Sequence, residues 1–294
     1  MRLDVVIDTD AFNEIDDQYA IAYLLRSDED LNLKEIYAAP FFNKHSNSPE
    51  DGMEKSYDEI MKVLKLADRE DLVEHVYKGS TQFLENEDTP VVSEAAQQLI
   101  MTAEEYTREN PLYVVAIGAI TNVASALIMK PEIAEKIVVV WLGGHSYDYR
   151  NTAEFNMKQD IAAARVVFQS GTALVQVPCY GVVNSLVTTQ WELEHWLKGK
   201  NKLCDYLVEN TIREAESYAA GKPWSRVIWD VVPVAWLMNE KERFMLVRDQ
   251  NVVLPEYTSL YSKEKLSLPM KYVYYIKRDA ILEDLFKKLT KQPK

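Results

Sequence analysis

Two stretches of the chain, YVVAI (Tyr113–Ile117) and IVVVWL (Ile137–Leu142), are apolar without alternation and rich in β-branched residues. A strand with one face in water alternates polar and apolar side chains; a continuous apolar run reads as a strand covered on both faces. Shorter runs of the same kind occur at DVVID (Asp4–Asp8), KEIYAAP (Lys34–Pro40), near Val76, and at TALVQVP (Thr172–Pro178). Between them lie segments of helical periodicity: DQYAIAYLLRS (Asp17–Ser27), Ser56–Ala67, Ser93–Tyr106, TNVASALIM (Thr121–Met129, entered through a Thr-Asn cap) and Asp160–Gln169. Strands alternating with helices imply right-handed crossovers and a mostly parallel sheet. The expected fold is therefore α/β, a Rossmann-like open sheet flanked by helices. From Val187 to Met238 the pattern is mainly helical, and Lys271–Arg278 and Ala280–Leu289 read as a last strand and helix. No repeat or Pro/Gly/Ser linker divides the 294 residues, so one domain, 1–294, is expected.

Composition narrows the partners. Acidic residues outnumber basic ones to a net charge of −13, which argues against a nucleic-acid groove. No apolar stretch reaches the roughly 20 residues of a membrane span, and the N-terminal run is too short for a secretory signal. Cys179 and Cys204 form no CxxC pair, so a reducing, cytoplasmic setting is expected.

The stretch IDTDAFNEIDDQYAIAYLL (Ile7–Leu25) places Asp8, Asp10, Glu14, Asp16 and Asp17 within ten residues, with no Lys, Arg or His among them. It lies where the first strand meets the first helix, and open α/β sheets bind ligands beyond the carboxyl ends of their strands. Asp16 as a helix N-cap and Asp17 as a complement to the helix dipole would be ordinary uses. Asp8 and Asp10 have no such use. Carboxylates crowded at a buried strand end repel one another, and a bound cation relieves that more simply than protonation. All-oxygen donors select Ca²⁺ or Mg²⁺ over zinc. A phosphotransferring Asp8 in a haloacid-dehalogenase-like D-x-D pattern is an alternative, weakened by Phe12 where that pattern carries Thr or Val. The turn AFNEI has no glycine for a dinucleotide site, and there is no Walker A, G-x-S-x-G or H-E-x-x-H sequence.

The acidic stretch resembles the D-x-D-P-G-x-D-D signature of the nucleoside hydrolases, the calcium-dependent N-ribohydrolases. Further segments follow in family order: AAPFFN ending in Asn43, AIGAITNVASAL (Ala116–Leu127), VVWLGG (Val139–Gly144) with AEFN (Ala153–Asn156), and VIWDVVPVAWLM (Val227–Met238). The resemblance implies the nucleoside hydrolase fold and hydrolysis of the N-glycosidic bond of a nucleoside or related riboside. Asp10 would touch Ca²⁺ and act as general base on its water. Asp17, Asp230 and the Ile117 carbonyl would complete the protein's metal contacts, and Asp8 would support Asp10 from behind. Asp16 and Asn156 would bind ribose hydroxyls with Asn43 nearby, and Glu154 would hold the 5′-hydroxyl end. Members of the family tend to form dimers or tetramers.

Three departures bear on the substrate. AFNEI is two residues longer than the family's turn and lacks its Pro-Gly. The loop after the third strand (Lys78–Ser93) is acidic and has no histidine. Trp229 stands where many members carry the histidine that assists the leaving base. Tryptophan cannot transfer a proton but offers a stacking surface. Tyr218 and Trp224 are candidates to join it, and His145 and His45 are the histidines nearest the matching segments. A non-catalytic riboside binder is the reading these losses favour; the retained Asp10 opposes it.

Overall fold

In the computed structural model, residues 2–291 are described. In chain order the elements are β1 (Leu3–Thr9), α1 (Asp16–Leu25), β2 (Leu31–Ala38), α2 (Pro49–Leu66), β3 (Val76–Lys78), α3 (Glu94–Ala103), β4 (Leu112–Ala116), α4 (Thr121–Met129), β5 (Ile137–Leu142), α5 (Phe155–Gln159), α6 (Ile161–Gln169) and β6 (Ala173–Val177). There follow β7 (Val187–Thr188), α7 (Gln190–Trp196), α8 (Lys202–Ala219), β8 (Arg226–Val227), α9 (Val231–Trp236), β9 (Met245–Pro255), β10 (Tyr261–Ile276) and α10 (Arg278–Leu289).

Eight strands form one sheet in the order β3-β2-β1-β4-β5-β6-β10-β9, parallel throughout except for the antiparallel β10–β9 pair. The expected α/β class is the observed one. Successive residues of the central strands enter opposite cores. Val5, Ile7, Val115, Val140 and Leu142 pack on one face, with α1 and α9; Val6, Val114, Val139 and Trp141 pack on the other, with α3, α4 and α6. Both faces are covered, which is why these strands read as unbroken apolar runs.

Several local expectations change. Helix α2 begins at Pro49 rather than Ser56, with Ser48 as N-cap accepting from Asp51 N. Proline at the first helical position is favourable, since its missing N–H would have no intrahelical partner. Asp16 does not cap α1: Ile15 is the boundary residue and no side chain caps it. Nor do Thr121 and Asn122 cap α4, which is entered at Ile120; both side chains are used elsewhere. The mainly helical segment after Val187 also holds the short antiparallel pair β7–β8. The last strand starts at Tyr261, ten residues before the expected Lys271, and forms a long hairpin with β9, which the sequence reading did not identify.

Gly79, just after β3, shows how tightly the strand ends are packed. A Cβ there would collide with the Ala38 carbonyl oxygen and lie 2.5 Å from Asn122 Nδ2. Gly79→Ala is therefore expected to destabilise the protein by about 1–3 kcal/mol, as overpacking does. Calorimetry should register a melting temperature lower by about 2–4 °C per kcal/mol.

Candidate functional site

The carboxyl ends of β1, β4, β5 and β6 and the amino ends of α1 and α9 border one cleft of about 200 Å³. Asp10, Asp16, Asp17 and Asp230 line it, all buried. One carboxylate oxygen each of Asp16, Asp17 and Asp230 lies within 4.8 Å of the others. The acids of α1 are held from neighbouring elements. Thr9 Oγ1 donates to Asp17 Oδ1 at 2.5 Å, and the Trp229 backbone N–H donates to Asp16 Oδ2 at 2.9 Å. Asp10 is backed by Gly118, where a Cβ would come within 3.1 Å of Asp10 Oδ1.

The electrostatics are unfavourable for ionised acids without a counter-ion. Burial first, and repulsion from neighbouring carboxylates second, push the carboxyls of Asp10, Asp17 and Asp230 well above the usual range. Asp16 is raised to about 6, burial being opposed chiefly by the Arg226 guanidinium. Asp8 is raised to about 7 by burial, opposed by its hydrogen bond from Asn122. Among the described residues the buried oxygens Asp8 Oδ2 and Asp10 Oδ2 have no hydrogen-bond partner, and Asp16 Oδ1 has the Arg226 guanidinium at 3.5 Å. The crowded carboxylates of Asp10, Asp16, Asp17 and Asp230 at the cleft suit a hard divalent cation, which neutralises several acids at once. The all-oxygen donor set fits such an ion.

The remaining expected residues divide into those that meet at the cleft and those that do not. Ile117, Glu154, Asn156 and Trp229 line it. The Ile117 carbonyl accepts from Asn156 Nδ2 at 3.1 Å, and a carbonyl has a second lone pair for another contact. Glu154 is chiefly occupied as the N-cap of α5. Its carboxylate accepts from the N–H groups of Gly144, Asn156 and Met157, each at 2.9 Å. Asn43 stands one step back, donating to Asn13 Oδ1 at 2.6 Å, and Asn13 lines the cleft. Asp8 is fully buried behind Asp10 and absent from the cleft wall; Asn122 Nδ2 donates to its Oδ1 at 2.7 Å. Tyr218 and Trp224 do not line the cleft, and Tyr218 is exposed.

Two groups were not read from the sequence. Arg226 brings the positive charge that is missing from the acidic stretch itself. Its Nη2 lies 2.6 Å from Glu14 and 3.5 Å from Asp16, and its Nε 3.6 Å from Glu214. Glu14, in the unusual AFNEI turn, thereby ties that turn to β8. Searching for a counter-charge beside Asp230, four residues on, would have found Arg226. The second group is aromatic. Tyr180 packs edge-on against Trp229 (centroids 5.4 Å apart) and lies beside His145 (4.9 Å), making one wall of the cleft.

Comparison with known proteins places this geometry in a lineage. A solved plant nucleoside hydrolase, PpNRh1, superposes with a TM-score of 0.78 at 19% identity, covering 99% of this chain and all of that one. A purine-preferring ribonucleoside hydrolase from Gardnerella vaginalis gives 0.77 at 20% identity, covering 98% of each. At such identities the likeness concerns the fold. In sequence, the pyrimidine-specific ribonucleoside hydrolase RihB of Escherichia coli O1:K1 / APEC is 40% identical over 72 residues, 24% of this chain and 23% of that protein. The match thus spans about a quarter of that curated relative's length. The family model for inosine-uridine preferring nucleoside hydrolases matches residues 5–269, from the first strand through the acids of both α1 and α9 to the final hairpin, and the chain belongs to that family.

Proposed function

We propose that the protein hydrolyses the N-glycosidic bond of a ribonucleoside or related riboside, giving ribose and free base. The observation that carries this reading is the pairing, in one cleft, of four buried carboxylates with an aromatic wall. A sugar losing its base develops positive charge at C1′, and fixed negative groups around the ring stabilise that charge in a site poor in water. A flat base beside it can stack on the face of one ring of the Trp229–Tyr180 pair and meet the other edge-on, since the two planes lie 77° apart.

Asp10, Asp17 and Asp230, with the Ile117 carbonyl, are the groups that would hold a calcium ion; Asp16, expected at the ribose, has an oxygen within 4.8 Å of those of Asp17 and Asp230 and is assigned here to the same cluster. Bound there, the ion would supply positive charge that aligns ribose hydroxyls and makes a water more acidic. Asp10, with Oδ2 free of other partners, accepts the proton of the attacking water. The oxygen of that water bonds to C1′ while the C1′–N bond breaks and its electron pair leaves with the base. Asn156, which lines the cleft with its Nδ2 donating to the Ile117 and Leu142 carbonyls, is assigned to a ribose hydroxyl. Burial of Asp8 behind the cleft, with one oxygen held by Asn122, opposes its use as a phosphate-accepting nucleophile.

The test is release of reducing sugar from inosine, adenosine, guanosine, cytidine and uridine with calcium present. Release from at least one is expected; binding of ribosides with release from none would overturn the reading in favour of a non-catalytic binder. Trp229→Ala should lower kcat/KM for the best substrate by about 10–100-fold, the loss of one stacked base. An unchanged kcat/KM would remove Trp229 from the base site.

A further inference from the structure

We propose that His145 contacts the leaving base, donating a hydrogen bond from Nε2 as the C1′–N bond breaks. The inference rests on the hydrolytic reading above and adds a residue at another position to the one vacated by Trp229. His145 lies in the loop after β5, is only 7% exposed, and lines the cleft. Its Nδ1 accepts from the Tyr180 backbone N–H at 3.4 Å. That assigns the ring proton to Nε2, the one ring nitrogen without a protein partner. Burial lowers the pKa of the ring, so that it is neutral at neutral pH. A neutral imidazole with Nδ1 accepting is a hydrogen-bond donor at Nε2.

The position of this donor is built rather than incidental. The His145 carbonyl accepts from Tyr261 Oη at 2.7 Å, at the start of β10. The neighbouring backbone is laced to the loop after β6, with Cys179 N donating to Gly144 O at 2.8 Å and Ser146 N to Tyr180 O at 2.9 Å. The ring packs beside the stacked pair Tyr149–Tyr180, its centroid 5.7 and 4.9 Å from theirs and theirs 6.0 Å apart. Tyr180 touches both His145 and Trp229, and all three line the cleft; in the proposed pose a base stacked on Trp229 presents its edge to Nε2.

The chemistry asked of His145 is modest. The departing base takes both electrons of the C1′–N bond, and the Nε2 hydrogen bond stabilises the charge that results. No proton need leave the imidazole; the base acquires its proton from Asp10 or solvent after departure, which balances the water consumed at C1′. A leaving group that is already a stable anion needs none of this help.

That difference supplies the test. Wild type, His145→Ala and His145→Gln would be assayed on the best nucleoside and on p-nitrophenyl riboside. His145→Ala is expected to lose about 10²–10³-fold in kcat on the nucleoside, the scale of one transition-state hydrogen-bond donor. On p-nitrophenyl riboside the loss should be less than about threefold, and His145→Gln, which carries an N–H donor, should recover about tenfold on the nucleoside. Equal losses on both substrates, or no loss on the nucleoside, would overturn the proposal. If wild type cleaves p-nitrophenyl riboside, an O-glycoside, but no nucleoside, the role of His145 and N-glycosidic hydrolysis of nucleosides both fall; if nucleosides are cleaved and His145→Ala loses nothing on them, only the role of His145 falls. If wild type cleaves neither, both readings fall.

Discussion

Asp10→Asn is expected to reduce kcat by about 10²–10⁴-fold, the usual contribution of a positioned proton acceptor. Asparagine nearly preserves shape, so Gly118 and the Asp10–Asn13 turn should tolerate it. What it removes is the lone pair that takes a proton and one negative charge from a repelling group. Asp10 is pressed upward by burial and then by Asp17, so neutralising it relieves the metal-free protein. The variant should therefore melt at the same temperature as wild type or higher without added calcium, while losing turnover. Activity is measured by reducing-sugar release and stability by calorimetry. A variant as active as wild type would remove Asp10 as the base; one that is inactive but also strongly destabilised would make it a structural residue.

Chelation is expected to have the second large effect, and one visible without substrate. An ion that binds only the folded chain stabilises it by about 2.7 kcal/mol at a hundred times its dissociation constant. For a chain of this size that corresponds to roughly 5–10 °C in melting temperature. Adding calcium to metal-free protein should raise the melting temperature by this amount, and a chelator should reverse the rise together with any ribose release. Asp230→Ala removes one of the three converging carboxylates, from α9, while Asp16 and Asp17 remain on α1. It should abolish the calcium-dependent shift. A shift of the same size in Asp230→Ala, or none in wild type, would refute the assignment of these acids to a cation.

How much of this was legible in the sequence depended on distance along the chain. The β1, β4 and β5 strands were readable because burial on both faces leaves a run no helix-period or surface pattern imitates. Of the β9–β10 hairpin only the end of β10 was readable, because elsewhere exposed charges such as Arg248, Asp249, Lys263, Glu264 and Lys265 interrupt the apolar residues. Proximity of Asp8, Asp10, Asp16 and Asp17 in sequence suggested a cation site, but the inference that no basic group stood near them was local. Arg226 arrives from more than 200 residues away. Asp230 was reached through resemblance alone, since an isolated acid before an apolar helix has an ordinary use as a cap. The dual use of Asn122, donating to Asp8 and accepting from Ser80, depends on three strand ends meeting and leaves no trace in local pattern.

The hydrogen bond from Trp229 N–H to Asp16 closes a separation of 213 residues. A chain emerging from a ribosome presents its first acids early, when they are separate, hydrated and ordinary in charge. Water screens their repulsion until the segment carrying Arg226 and Asp230 docks beside them and helps to bury them, adding one more acid and the guanidinium that opposes it. Closing so long a loop is costly in chain entropy and slow. The grouping of acids that could hold a metal ion is thus a late acquisition of folding: an intermediate with β1, α1 and β2 in place would hold the first acids but not the full cluster.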